Sequence, residues 1–148
     1  MISQLSFFAP GIPKGQPRVR AFVRGRHAGV YDPGTADTWK QCVMLAAKQA
    51  MAGEFIHPLF TGPLRVDIVV VFSRPKSHMT SKGFIKPSSP IWHTQKPDAD
   101  NLAKGIWDAL TQIQMWPDDA LICHTLISKR FAALDEASGC HITINSLE

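Results

Sequence analysis

Residues 96–122 read KPDADNLAKGIWDALTQIQMWPDDALI and hold five of the twelve acidic residues of a chain that is otherwise basic. These five aspartates lie within 22 positions and are Asp98, Asp100, Asp108, Asp118 and Asp119. Carboxylates that served only solubility would be scattered over the surface, because gathered like charges repel each other. Gathered carboxylates usually share a cation, so this segment is the first candidate for a functional site.

The middle of the segment has the apolar spacing of an amphipathic helix, expected over about residues 101–114. Asp98 and Asp100 then lie at its start, where a carboxylate can cap a free backbone N–H group and is favoured by the helix dipole. Capping accounts for one of these two aspartates. It does not account for Asp118 and Asp119, which follow the helix. The sequence leaves open whether the chain returns that second pair to the helix start.

If the two pairs meet, three or four carboxylates converge. Carboxylate oxygens are the ligands that Mg²⁺ prefers, and such ions support phosphodiester hydrolysis. Lys104 shares a helix face with Asp100 and Asp108, so it either forms a salt bridge with one of them or contacts the scissile phosphate. Asp108 itself is expected to be mostly structural. The D-x-D spacing also occurs in glycosyltransferases and phosphatases, and as plain helix caps.

Periodicity places the other elements around this helix, with strands expected over residues 2–9, 64–72, 120–131 and 140–146 and a second helix over residues 36–51. The strand at residues 64–72 turns apolar on both faces, which predicts a central strand covered on both sides. The last two strands are expected to pair antiparallel as a hairpin. The order β-α-β-α-β-β predicts one α+β domain over residues 1–148, in which a mixed β-sheet packs with two main helices.

Cysteine spacing and hydropathy exclude several classes of protein. The three cysteines are far apart and form no CxxC pair, so neither a zinc site nor a disulfide framework is expected. The longest apolar run is too short to span a bilayer, and the N-terminus lacks a basic leader followed by an apolar stretch. We therefore expect a cytoplasmic protein without a membrane partner.

The run K-P-D-x-D-N-L-x-K-x-x-x-D-A-L, followed by D-D ten residues after its last aspartate, resembles the RusA family of Holliday-junction resolvases. These are metal-dependent endonucleases of phage and prophage origin. The resemblance is dense over residues 96–122 and extends weakly to the P-K-G-Q-P-R run at residues 13–18, to Tyr31 and to the helix after it. It places the protein in a bacterial or phage-infected cell.

The resemblance implies a set of site residues and partners. The catalytic residues would be Asp98, Asp100, Asp119 and Lys104, with the three aspartates as metal ligands and Asp118 as a further candidate ligand. It also implies Mg²⁺ dependence, with Mn²⁺ as a substitute, and a homodimer that makes paired symmetric nicks in four-way and other branched DNA during recombination and repair. The alternatives are a branched-DNA-binding protein without catalysis and a metal-dependent hydrolase of another phosphate ester.

Two features depart from the family pattern. Gly105 weakens the helix by up to ~1 kcal/mol relative to alanine, which would suit a close backbone approach. Residues 74–96, which contain Trp92 and His93, have no counterpart in the resemblance. This segment is longer than an ordinary connection, so it is expected to be either functional or mobile.

The charge distribution supports a polyanionic partner. The net charge is +4, and residues 1–31 contain five basic residues and no acid. The candidate DNA-binding residues are Lys14, Arg18, Arg20, Arg24, Arg26 and Lys96. Such residues contact phosphates and position a protein on DNA, although a solvated loop is the plain alternative. If the piece around residues 21–23 is extended, Phe22 shares a face with the alternating arginines. It then either stacks on a base at an opened junction or packs in the core.

Overall fold

The computed structural model describes residues 2–54 and 57–148, which form six strands and two α-helices. In chain order these are β1 (Gln4–Pro10), β2 (Arg20–Arg24), β3 (His27–Tyr31), α1 (Asp37–Ala50), β4 (Leu64–Phe72), α2 (Ala99–Gln112), β5 (Ile122–Phe131) and β6 (Gly139–Ser146). Short 3-10 turns at Lys76–His78 and Asp119–Leu121 complete the secondary structure of these residues. The α+β class, the mixed sheet and the two helices are confirmed.

The described residues form a four-stranded sheet in the order β1-β6-β4-β5. β4 and β5 are parallel, because α2 crosses over between them. β6 lies antiparallel to both β1 and β4. The predicted hairpin between β5 and β6 is therefore wrong. Cys140, Ile142 and Ile144 alternate along β6 and are fully buried, because β6 lies inside the sheet between β1 and β4.

The core lies between one face of the sheet and the two helices. Its largest fully buried side chains include Trp39, Trp116, Leu64, Ile68, Leu102, Ile106, Leu110 and Ile142. β4 is central, as predicted, and its inward face is buried from Leu64 to Val70. The prediction that both faces are covered is only partly right, because Arg65, Asp67 and Val69 on the second face are half-buried. Both helices pack on the inward face of the sheet, which carries Leu64 to Val70, and neither covers the second face.

Helix boundaries follow the sequence closely. α1 lies one residue inside its predicted range at each end, and α2 begins and ends two residues earlier than predicted. The predicted buried stripe of α2 is confirmed by Leu102, Ile106 and Leu110. No helix within the described ranges is long and apolar enough to cross a membrane.

The segment between β4 and α2 is attached to the outer edge of β5. The N–H of Phe131 donates to the carbonyl of Ile91 at 2.9 Å, and the N–H of His93 donates to the carbonyl of Lys129 at 3.1 Å. The His93 ring stacks on Phe72, with ring centroids 3.8 Å apart. The segment thus covers the edge of β5 beyond residue 129, and it leads directly into the start of α2.

Candidate active site

The start of α2 presents a carboxylate that does not cap the helix. Asp98 occupies the N-cap position, with φ −70° and ψ 151°, and its side chain makes no capping hydrogen bond with a described residue. Its backbone carbonyl accepts from the N–H of Leu102 at 3.1 Å. The side chains of Asp98 and of Asp100 in the first turn are both exposed. Capping therefore does not explain Asp98, whose carboxylate is available to a ligand.

A loop at residues 13–18 packs against this helix start. The N–H of Gln16 donates to the carbonyl of Asn101 at 2.9 Å. Gly15 is required there, because a Cβ at this position would lie 2.9 Å from Cβ of Pro97 and 3.2 Å from Cβ of Asn101. The backbone approach expected at Gly105 is less close. A Cβ at Gly105 would lie 3.6 Å from the backbone nitrogen of Gln16, which is an ordinary contact distance. An alanine would fit at residue 105 but not at residue 15.

The loop and the helix start form the walls of a cleft of about 640 Å³ that is open to solvent. Lys14 and Arg18 line one side, and Lys96 and Asp98 line the other. Three cations therefore surround one carboxylate, and the surplus of positive charge suits an anion such as a phosphodiester. We call this space the basic cleft. It brings together Asp98 and three of the six basic residues predicted to contact DNA.

Gln16 is a residue that sequence reasoning missed. Its Oε1 is buried without a hydrogen-bond partner among the described residues, and its Nε2 lies 3.5 Å from Oδ2 of Asp32. The signal that could have found it is its place in the P-K-G-Q-P-R run, where two prolines stiffen the loop around it. Gln16 joins the loop to α2 and, through Asp32, to the end of β3.

The second aspartate pair lies in the 3-10 turn that follows α2. Oδ1 of Asp118 accepts from the N–H of Ala120 at 2.8 Å, so Asp118 caps the turn that carries Asp119. Partial burial raises the pKa of Asp119, and the neighbouring carboxylates of Asp118 and Asp108 raise it further. A carboxyl group whose ionisation is opposed by partial burial and by neighbouring negative charges gains from a cation. α2 contacts this turn directly.

The two aspartate pairs do not form one ready-made cluster. Among residues 2–54 and 57–148, no three His, Cys, Asp or Glu side chains lie close enough together to hold a metal ion. Asp118 and Asp119 are side by side, and Asp98 lies in the basic cleft. The donor set nevertheless fits a hard cation, because every candidate ligand is a carboxylate and Asp98 is not used as a cap.

Lys104 and Asp108 differ sharply within α2. Asp108 lies 2.7 Å from the ammonium of Lys40, which is buried against the helix, and it also accepts from Nε2 of Gln112 at 2.9 Å. The expectation that Asp108 is structural is therefore confirmed. Lys104 is exposed and forms no ion pair with a described residue. Lys104 therefore makes no i,i+4 salt bridge with Asp100 or Asp108, and its ammonium is available to a ligand.

The end of the basic N-terminal segment, residues 20–31, forms an exposed hairpin of β2 and β3. Arg20, Phe22 and Arg24 alternate along β2 and share one face, as predicted for an extended piece. Arg26 lies in the turn between the strands, and Arg18 precedes β2 and lines the basic cleft. The prediction that the arginines share one face is therefore confirmed for Arg20 and Arg24, the two that lie inside the strand.

A family profile described as "Endodeoxyribonuclease RusA" matches residues 10–145. The chain belongs to the RusA family. The match covers nearly the whole fold, including the basic cleft, the β2–β3 hairpin and both aspartate pairs. The RusA-family chain is also 32% identical over 136 residues to the uncharacterized protein YqaN of Bacillus subtilis (strain 168), a match that spans 86% of this chain and 88% of that protein. The resemblance noted in residues 96–122 is thus confirmed. The family is one of nucleases that act on DNA and implies resolution of Holliday junctions.

Proposed function

We propose that this RusA-family chain is a Mg²⁺-dependent endonuclease that resolves four-way DNA junctions by paired symmetric nicks. It would act in recombination and repair, in the cytoplasm of a bacterial or phage-infected cell. The observation that carries the proposal is the exposed carboxylate of Asp98, which is not used as a cap and faces a cleft lined by cations. A carboxylate and a surplus of positive charge together suit a metal ion bound beside a phosphate.

The proposal assigns Asp98, Asp100 and Asp119 as ligands of Mg²⁺, which Mn²⁺ could replace. When bound, such an ion supplies an activated water and neutralises charge on the phosphate oxygens. Asp118 supports Asp119 by capping its turn, and it is the candidate for a fourth ligand. Because Mg²⁺ usually keeps several non-protein ligands, water and phosphate oxygens would complete its coordination beside these carboxylates.

Basic residues orient the substrate in this proposal. Lys14, Arg18 and Lys96 hold the phosphodiester in the basic cleft. Lys104, one helical turn after Asp100, stabilises the negative charge that develops on the phosphate in the transition state. A homodimer follows from the symmetry of the substrate, because two equivalent nicks across a two-fold symmetric junction need two equivalent sites.

The decisive experiment is cleavage of a synthetic four-way junction compared with a linear duplex of the same arms, in Mg²⁺ or in EDTA. We expect Mg²⁺-dependent paired nicks in the junction. Asp98→Asn and Asp119→Asn should abolish the nicks and leave junction binding intact. Asp135→Asn is the matched control, because Asp135 is exposed, lies in the β5–β6 connection and has a φ of 60° that asparagine tolerates.

Two outcomes would overturn the proposal. Tight junction binding without cleavage in any divalent metal would leave a non-catalytic branched-DNA-binding protein. Cleavage of a small phosphate ester, together with a DNA affinity that hardly changes with salt, would indicate a hydrolase of another substrate. Several phosphate contacts would instead make the DNA affinity fall steeply with salt.

A further inference from the structure

The β2–β3 hairpin exposes aromatic and aliphatic side chains on both of its faces. Within the described residues, β2 and β3 pair with each other and with no strand of the main sheet. Every residue of the two strands except Gly29 is exposed, and Phe22 and Tyr31 retain 39% and 46% of their accessible surface. An isolated two-stranded hairpin is only marginally stable in water, so its exposed side chains are candidates for contact with a ligand.

The pairing register sorts the hairpin into two chemically distinct faces. Arg20 is opposite Tyr31, Phe22 is opposite Gly29, and Arg24 is opposite His27. Residues paired across an antiparallel ladder point to the same side, so these side chains form one face, which we call the aromatic-basic face. The other side is purely aliphatic and carries Ala21, Val23, Ala28 and Val30.

The aromatic-basic face has a defined shape. A Cβ at Gly29 would lie 2.7 Å from the ring of Phe22, so the absence of a side chain lets the tip of this ring lie over the neighbouring strand. The rings of Phe22 and Tyr31 have centroids 6.1 Å apart and an interplanar angle of 56°. With Arg24 they border an open concavity of about 490 Å³.

Both ends of the hairpin are attached to the basic cleft. Arg18 lines the cleft and lies two residues before β2 begins. Asp32, directly after β3, lies 3.5 Å from the side-chain nitrogen of Gln16, which in turn packs on α2. The hairpin is thereby joined to the loop that forms one wall of the basic cleft.

We propose that the aromatic-basic face is a nucleobase-binding site that takes an unstacked base of branched DNA. Phe22 and Tyr31 supply the stacking surface, and Arg20 and Arg24 contact the phosphates on either side of the base. Aromatic side chains beside cations are how proteins hold single-stranded nucleic acid, since every base has a π-face and every linkage has a charge. The inference rests on the proposed function in one respect, that branched DNA is the substrate.

Charge complementarity favours DNA over other occupants of this face. Residues 1–31 contain no acidic residue, so nothing in this segment repels a polyanion. An apolar protein partner or a second copy of the chain would be expected to cover the aliphatic face instead, where Val23 and Val30 retain 74% and 66% of their accessible surface. Two arginines bordering an aromatic surface do not suit an apolar occupant.

The test uses the full chain in EDTA, so that binding is measured without cleavage. A four-way junction with 2-aminopurine at the crossover, and a linear duplex with the same label, are titrated with protein. We expect the junction fluorescence to change on binding. Phe22→Leu and Tyr31→Leu should remove that change and weaken junction binding on the order of 10-fold, with little effect on duplex binding. Both variants retain an apolar side chain and lose the aromatic ring, and Tyr31→Leu also loses the phenol hydroxyl.

Val23→Thr is the matched control, because it lies between Phe22 and Arg24 on the opposite face and keeps the β-branched shape. It should behave as the wild-type protein. A second readout is photocrosslinking to 5-iodouracil at the crossover, which should modify Tyr31. Tyr31 is the single tyrosine of the chain, so the modified peptide is unambiguous.

Three results would overturn the inference. The first is unchanged junction affinity in both aromatic variants, and the second is an equal loss in Val23→Thr. The third is a change of oligomeric state in Phe22→Leu, which would mean that the face binds a second copy. Failure of the nuclease proposal would look different. The wild-type protein would then bind the junction without cleaving it in Mg²⁺, whereas the fluorescence signal in EDTA would be unaffected.

Discussion

At the C-terminal half of α2, Asp108 lies 2.7 Å from the buried ammonium of Lys40, whereas at the N-terminal end Asp98 occupies a cap position without capping a described N–H group. Both are aspartates of the same helix. One is held by a partner that would be left buried and unpaired without it, and the other faces a cleft open to solvent. The comparison separates carboxylates that stabilise the fold from those that can bind a ligand, and it does so by their contacts rather than by their spacing.

Lys104→Ala should give the largest effect, because it removes the exposed cation of the N-terminal half. We expect the junction cleavage rate to fall by roughly 10²- to 10³-fold, as for loss of one transition-state donor, with an unchanged melting temperature. Single-turnover cleavage and thermal unfolding measure the two quantities. Lys48→Ala, in the last turn of α1, is the control. A large loss of stability in Lys104→Ala would place Lys104 with the structural residues.

Asp108→Ala should destabilise the fold by about 1–3 kcal/mol, because it leaves the ammonium of Lys40 buried without its partner. Asp98→Ala should change the free energy of unfolding by less than ~0.5 kcal/mol, since no capping hydrogen bond with a described residue is lost. Urea unfolding compares the two variants. Replacing both members of the pair, in Lys40→Met with Asp108→Ala, should restore part of the stability. Equal destabilisation at Asp98 and Asp108 would remove the distinction between the two halves of α2.

Gly15→Ala should displace the loop that forms one wall of the basic cleft, because its Cβ would lie 2.9 Å from Pro97. We expect on the order of a 10-fold loss of junction cleavage, comparable to the loss of a well-placed binding contact. Gly105→Ala is the control, since its Cβ meets only ordinary contacts and alanine favours the helix. Equal activity of the two variants would mean that the cleft wall does not position DNA.

Replacing Glu136 should have the smallest effect on stability. It tests a paired carboxylate outside α2, because Glu136 forms an ion pair with Arg130. Hydrogen bonds from Arg130, and then one from the N–H of Ala133, lower the pKa of Glu136 from 4.5 to about 2. Because the pKa is lower in the folded state, this stabilisation is fully present above about pH 4.5 and is lost as the pH falls towards 2. The stability difference between wild type and Glu136→Gln should therefore be constant above about pH 5 and shrink below pH 4.5. Urea unfolding at several pH values measures it, and a constant difference down to pH 3 would contradict the assignment.

Much of this molecule is readable from local sequence. The periodicity of residues 101–114 gave α2 to within two residues, and the dense motif around Asp98, Asp100 and Lys104 indicated the family. Charge composition marked residues 1–31 as a segment with five basic residues and no acid. These features are local because helical periodicity, motif spacing and charge runs depend only on neighbours along the chain.

Tertiary structure decided the rest. The pairing of β6 with β1 and β4 rather than β5 depends on which strands bury its alternate residues, and no local pattern reports a partner so distant along the chain. The packing of Gln16 and Gly15 on α2 joins segments more than 80 residues apart, and it places Lys14 and Arg18 beside Asp98. The sequence by itself determined which residues could carry the chemistry. Only the fold decided which of them are engaged in structure and which remain available, because that depends on the partners that long-range packing supplies.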